Sequence, residues 1–129
     1  MESLLIKREK YTPYVSFDVN TRVFNIEGES YSDDSDTFYQ PIIKWLKSYL
    51  ATNKKSVTLN FKLKYFNTRS SRAFFEILEL LEEHVIHKNT KVIVNWYTNA
   101  KDVDIIEDGE NYKDSFDHLS FNILSQHLV

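Results

Sequence analysis

The residues best suited to chemistry are the hydroxyls and cations of one short polar turn, Asn67-Thr68-Arg69-Ser70-Ser71-Arg72. A phosphate on one of these hydroxyls would place about −1.5 to −2 charges beside two arginines and a helix N-terminus. Helix capping by Ser70 or Ser71 is the alternative, with Thr68 ahead of the cap. Capping accounts for one hydroxyl but not for Thr68 or the arginines, so the residues alone support both interpretations.

Two other polar groups favour structural roles. His84 and His87 lie three residues apart near the end of a predicted helix, where histidines interact well with the helix dipole, and a metal pair would need further ligands. The acidic residues between 102 and 110 do not fit a calcium-binding EF-hand loop, because Ile106 stands at position 5 and Gly109 at position 8. A solvated helix face is favoured there, and a partner-binding acidic edge is the alternative.

Composition narrows the classes of function. The 129 residues predict one domain, 1–129, and the absence of cysteine excludes disulfides and thiolate sites and favours the cytoplasm. Only two glycines occur, which excludes a glycine-rich phosphate loop, and a net charge of −3 weighs against nucleic acid. No apolar stretch is long enough to span a membrane, and no catalytic motif is present. We therefore expect a protein that is not an enzyme, without cofactor or metal.

The hydrophobic pattern predicts the elements that position the polar turn. First come a hairpin of strands Tyr14–Val19 and Arg22–Gly28, then a helix with its apolar stripe from Phe38 to Leu50. Pro41 lies in the first turn of this helix, or kinks it if the helix starts near Asp36. The later elements are a strand Ser56–Phe66 with Tyr65 on its buried face, a helix with a stripe from Phe74 to Val85, a strand Lys91–Tyr97, a short helix Val103–Tyr112 and a strand Leu119–Leu124. This order predicts a small α/β sandwich with a mixed, mostly parallel sheet. The polar turn then lies at the carboxyl end of a strand, where binding surfaces gather in such sheets.

Several short runs, in a fixed order, resemble the SiaC family of small bacterial regulatory phosphoproteins. They are Tyr65-Phe66-Asn67-Thr68-x-Ser70-Ser71-x-Ala73, Ser30-Tyr31 with Phe38-Tyr39-x-Pro41, Trp45-Leu46 with Tyr49-Leu50, and Val94-x-Trp96-Tyr97 followed by Asp104-Ile105-Ile106-Glu107-x-Gly109-Glu110. The resemblance extends from about Tyr14 to Ile123. The run around Thr68 is its most specific part.

The resemblance implies a STAS-like fold and a phosphorylation-controlled partner switch. Thr68 matches the family's phosphoacceptor, which a kinase of the histidine-kinase-like ATPase class would modify and a PP2C-type phosphatase would restore. The unmodified family protein engages and activates a diguanylate cyclase, in cyclic-di-GMP and biofilm signalling. The resemblance therefore implies a diguanylate cyclase or another effector protein as the partner. The expected recognition surface comprises Tyr65, Asn67, Arg69, Ser70, Ser71 and Arg72.

The sequence departs from the family pattern in two places. Arg69 stands where a small residue is usual and Arg72 where lysine is common, and two arginines suit bidentate contact with a phosphate. The segment 98–101 is less acidic than usual, which bears on the identity of the effector.

Two other classes of function are compatible with the residues. One is an interaction module or homo-oligomer that is never phosphorylated and uses exposed aromatics such as Tyr39 or Tyr97. The other is an enzyme or small-ligand binder with a site near Tyr65, Asn67 and Trp96, although the sequence offers no acid–base pair or cofactor motif for it.

Overall fold

The computed structural model describes residues 1–125, which form six strands and three helices. The elements are β1 Leu4–Ile6, β2 Tyr14–Asp18, β3 Val23–Ser30, α1 Ser35–Thr52, β4 Val57–Phe66, α2 Thr68–Lys88, β5 Val92–Thr98, α3 Val103–Ser115 and β6 Ser120–Ser125. The predicted order of strands and helices is confirmed, with one strand added. Strand β1 was not predicted, because three residues are too few to show an alternating pattern.

The strands form one sheet in chain order, from β1 at one edge to β6 at the other. The pairs β1–β2 and β2–β3 are antiparallel, and the pairs from β3 to β6 are all parallel. The predicted mixed, mostly parallel sheet is therefore confirmed. Each connection between parallel neighbours contains one helix, the usual crossover between parallel strands.

All three helices cover the same face of this sheet. Phe24 contacts Tyr49 of α1, Phe61 contacts Phe74 of α2, and Trp96 contacts Tyr112 of α3, with ring centroids 5.2–5.4 Å apart. The core lies between the sheet and this single helical layer, and its strand residues alternate with half-exposed ones on the opposite face. The apolar residues that form this face recur at every second position of β4 in the sequence.

The opposite, open face of the sheet carries a ladder of four asparagines, Asn25, Asn60, Asn95 and Asn122. They occupy one row across β3, β4, β5 and β6. The Nδ2 groups of Asn60, Asn95 and Asn122 each donate to the Oδ1 of the preceding strand's asparagine, at 3.0, 2.9 and 3.1 Å. The amides therefore satisfy one another on a surface that no helix covers.

A β-bulge near the carboxyl end of β4 reverses the phase of its side chains. Gly28 pairs with Leu63, but the next residue of β3 pairs with Tyr65, so Lys64 is extra. The bulge places Phe66 against the core and leaves Tyr65 54% exposed. The prediction that Tyr65 belongs to the buried face was wrong, because strict alternation does not continue through a bulge.

Helix α1 has the earlier of the two predicted starts and contains an internal proline. It starts at Ser35 after the N-cap Asp34, so Pro41 lies inside the helix and not in its first turn. The helix nevertheless continues to Thr52. Tyr39 is 1% exposed, which excludes it from the exposed aromatics proposed for self-association.

Helix α3 is held against the sheet by an indole ring. It runs to Ser115, three residues beyond the predicted end, and Trp96 donates its Nε1–H to the carbonyl of Ile105 at 2.8 Å. A Cβ atom on Gly109 would lie 2.4 Å from Cδ1 of Trp96. The glycine is required here because the ring occupies the space of any side chain.

Candidate functional site

The Thr68 turn, residues 67–72, is fixed first by its helix cap. Asn67 is the N-cap of α2, and its Oδ1 accepts from the backbone N–H of Ser70 at 2.9 Å. Its Nδ2 donates to the carbonyl of Ser32 at 3.1 Å. The prediction of Ser70 or Ser71 as the cap was wrong, because the side chain of Asn67 accepts from the backbone N–H of Ser70 in the first turn. Thr68 is thus the first residue of the helix and does not precede the cap.

Beneath the turn, Ser70 is completely buried in a cluster of hydroxyl groups. Its Oγ lies 2.7 Å from Oγ of Ser30 and 3.2 Å from Oγ of Ser35, and it donates to the carbonyl of Ser30 at 2.9 Å. The Ser30 Oγ lies 2.7 Å from the Tyr39 hydroxyl, whose pKa is raised mainly by burial. Because buried hydroxyls without partners are costly, this cluster ties α2 to β3 and α1.

Ser71 ties the other side of the turn to α3. Its Oγ lies 2.6 Å from the hydroxyl of Tyr112, which also donates to the Ser71 carbonyl at 3.0 Å. Burial raises the pKa of Tyr112 to about 12, opposed by the hydrogen bond with Ser71. Tyr112 is therefore a neutral phenol at neutral pH, and Ser71 is half-buried beneath it.

The outer surface of the turn presents Thr68, Arg69 and Arg72, all of them exposed. The Nη1 of Arg69 lies 4.0 Å from Oδ2 of Asp36 in α1, and both side chains are well solvated. Such a pair contributes little to stability. Thr68 is therefore exposed in the same turn as two exposed arginines, and one of these has an acidic neighbour.

Three tyrosines form a surface row that continues from the turn, and we call Tyr11, Tyr31 and Tyr65 the tyrosine row. Tyr31 packs edge-on against Tyr11 and Tyr65, with centroids 5.0 and 5.7 Å apart. Tyr11 and Tyr65 are about half exposed. The row joins the turn because Ser30, before Tyr31, accepts from the Asn67 N–H at 3.0 Å. Exposed tyrosines beside arginines are typical of protein-binding surfaces.

The remaining polar groups lie in structural surroundings. His84 is buried, its Nε2 has no hydrogen-bond partner in the described structure, and desolvation together with Lys88 lowers its pKa. His87 is exposed. Asp102 caps α3 by accepting from the Ile105 N–H at 3.2 Å. Within residues 1–125, no three His, Asp or Glu side chains are placed to hold a metal ion.

The positions of Tyr65, Asn67 and Trp96 do not support the alternative of a small-ligand site between them. This side chain is 1% exposed and packs against Gly109, whereas Tyr65 lies on the open surface. Asn67 uses both ends of its amide within the turn. Across the described residues, no helix is long and apolar enough to cross a membrane.

Replacing the cap tests how far the turn depends on Asn67. We expect Asn67→Ala to lower the free energy of unfolding by about 1–2 kcal/mol, because it removes a cap and a tie to the Ser32 carbonyl. Denaturant unfolding measures this loss. Asn67→Asp retains the acceptor and should recover part of it, whereas an equal loss in both variants would contradict the capping role.

Sequence reasoning missed the residues that support the turn from a distance. Ser30, Ser35 and Tyr112 come from three other elements, and their hydroxyls meet Ser70 and Ser71 only in the folded chain. Tyr31 and Tyr11 were likewise not connected with Tyr65. Tyr31 belongs to the run Ser30-Tyr31, which matches the family pattern, but that match did not indicate a role for the residue.

Comparison with known proteins agrees with this architecture. The model of the SiaC family regulatory phosphoproteins matches residues 6–126. An uncharacterized protein of Pseudomonas aeruginosa (strain UCBPP-PA14) is 28% identical over 115 residues, which are 88% of this chain and 90% of that protein.

Two solved structures have the same fold. The crystal structure of apo-SiaC from Pseudomonas aeruginosa superposes with a TM-score of 0.85 at 27% identity, covering 98% of this chain and 100% of that one. SiaC is also seen as the activator bound to the diguanylate cyclase SiaD, and that match has a TM-score of 0.83 at 27% identity, covering 95% and 98% of the two chains. The chain therefore belongs to the SiaC family of regulatory phosphoproteins.

Proposed function

We propose that this chain is a non-enzymatic partner-switch protein in which Thr68 accepts a phosphate and thereby gates binding to an effector. The observation that carries the proposal is the position of Thr68: an exposed hydroxyl on the first residue of a helix whose N-terminus is held rigidly from below. A modifying enzyme needs an accessible hydroxyl, and a switch needs a surface that keeps its shape when charge is added.

The turn accommodates a phosphate electrostatically. A dianion on the first residue of α2 lies at the positive end of the helix dipole. Arg69 adjoins it in sequence, and Arg72 lies one helical turn further on, where bidentate contact with phosphate oxygens is available. The fold would tolerate the modification, whereas an acidic or apolar partner surface placed over Thr68 would be repelled or left poorly solvated.

The recognition residues divide by exposure. Tyr65, Arg69 and Arg72 are exposed, and we assign them to direct contact with partners, together with Tyr31 and Tyr11 of the tyrosine row. We assign Asn67, Ser70 and Ser71 to positioning, because their side chains are engaged within the fold.

The proposed partners follow from the family. SiaC is the activator of the diguanylate cyclase SiaD, so we propose a diguanylate cyclase as the effector here and cyclic-di-GMP and biofilm signalling as the output. A kinase of the histidine-kinase-like ATPase class would add the phosphate, and a PP2C-type phosphatase would remove it, in the cytoplasm.

Mapping the phosphate tests the acceptor directly. The chain is incubated with ATP and the kinase-like ATPase of its native host, and phosphopeptides are identified by mass spectrometry. We expect one phosphate on Thr68 in the wild type, none in Thr68→Ala, and an unchanged level in Thr37→Ala, which removes an exposed threonine from the first turn of α1. Phosphate on Ser70 or Ser71 with Thr68 unmodified would overturn the assignment.

A further inference from the structure

The two edges of the sheet are protected to very different degrees. The edge strand β1 has three residues and is flanked by Glu2 on one side and Lys7, Arg8 and Glu9 on the other. The other edge strand, β6, has six residues, and the segment Leu119–Ser125 contains no charge, no proline and no glycine. Natural sheets blunt exposed edges with charges, prolines, bulges or short strands, because an unprotected edge pairs with other chains.

The outer side of β6 has no strand beside it within residues 1–125. Leu124 on this strand is 37% exposed and Ile123 is half-buried, so apolar surface accompanies the unpaired backbone groups. Beside it on the open face, Asn122 ends the asparagine ladder. Its Nδ2 donates once, to Asn95, which leaves one N–H and the Oδ1 outside the ladder.

We propose that β6 pairs with β6 of a second copy of this chain, antiparallel and with Asn122 opposite Asn122. Two features favour a second copy over another protein. An uncharged strand meets itself across a two-fold axis without like-charge repulsion, and an amide carries both a donor and an acceptor, so Asn122 complements itself. Directly opposite side chains in antiparallel pairs lie about 4.5–5.5 Å apart, close enough to carry the ladder into the second sheet.

The register follows from this axis. Ser120 lies opposite Leu124 of the second copy, and Phe121 lies opposite Ile123, so like faces adjoin and the helical layers stay on one side. The two sheets become one continuous twelve-stranded sheet. Thr68 is left free, since β5 separates β4 from β6. The contact is small compared with the roughly 1,200 Å² of standard interfaces, so the dimer is weak and concentration-dependent.

Sedimentation velocity of the full chain over a concentration series tests the proposal. We expect the wild type to shift from monomer to dimer, and Asn122→Asp and Asn122→Lys each to weaken dimerisation roughly tenfold or more, because each places like charges on the axis. An equimolar mixture of the two variants should restore a dimer. Asn25→Asp, at the far end of the ladder, should dimerise like the wild type.

A second pair of variants avoids the ladder. Ser120→Lys with Leu124→Lys places like charges at both flanking pairs and should weaken the dimer, whereas Ser120→Glu with Leu124→Lys places opposite charges there and should not. Thermal unfolding verifies that each variant is folded. A wild type that stays monomeric at all concentrations, or a dimer that none of these charges affects, overturns the proposal.

Discussion

Phosphate on Thr68 is expected to weaken binding of the proposed diguanylate cyclase effector about a hundredfold, a change of roughly 3 kcal/mol. The reason is electrostatic: a dianion replaces a hydroxyl on the proposed docking surface, in the turn that carries the exposed arginines and follows Tyr65 of the tyrosine row. Titration calorimetry with the purified cyclase of the native host measures the affinity of the modified and unmodified protein. Cyclase turnover should fall in the same proportion.

Matched variants separate the charge from the loss of the threonine. Thr68→Ala should bind like the unmodified protein and resist the kinase, and Thr68→Glu should weaken binding less than phosphate, since it carries one charge. The effect of phosphate should also shrink as ionic strength rises. Equal affinity of the phosphorylated and unphosphorylated forms would contradict the switch even if Thr68 proves to be the acceptor.

A single methyl group on Gly109 is expected to lower the free energy of unfolding by about 1–3 kcal/mol, the usual range for overpacking a core. Its Cβ would lie 2.4–2.9 Å from three atoms of the Trp96 indole, which is itself held by the Ile105 carbonyl. The sign is informative, because glycine to alanine inside a helix ordinarily stabilises by about 1 kcal/mol. Chemical denaturation of Gly109→Ala measures the change.

Two comparisons attribute the loss to the indole contact. Glu110→Ala changes the exposed neighbour on the same helix and should alter stability by less than about 0.5 kcal/mol. Trp96→Phe replaces the indole with a smaller phenyl ring. In this background, Gly109→Ala should lower the free energy of unfolding by less than it does in the wild type. A stabilised Gly109→Ala would show that α3 moves away from the sheet without penalty.

The candidate turn and most of the fold could be predicted from the sequence, because they depend on local patterns of apolar and polar residues. The period of two in β4 and of 3.6 in α2 placed a strand-to-helix turn at residues 67–72, and polar residues at a strand's carboxyl end marked it as a surface. The order of elements fixed the parallel crossovers. The family resemblance then distinguished Thr68 from its neighbours, which composition and spacing had not done.

Tertiary structure alone decided which residues of the turn face the solvent. The bulge at Lys64 is a property of the pairing between β3 and β4, so the exposure of Tyr65 could not be predicted from the sequence of β4 alone. Asn67 caps α2 because its amide is oriented by the bond to the Ser32 carbonyl. Ser70 is buried against hydroxyl groups of β3 and α1. The sequence by itself determined where the polar turn would lie, and long-range contacts determined that Thr68 and the two arginines are exposed while the serines hold the turn in place.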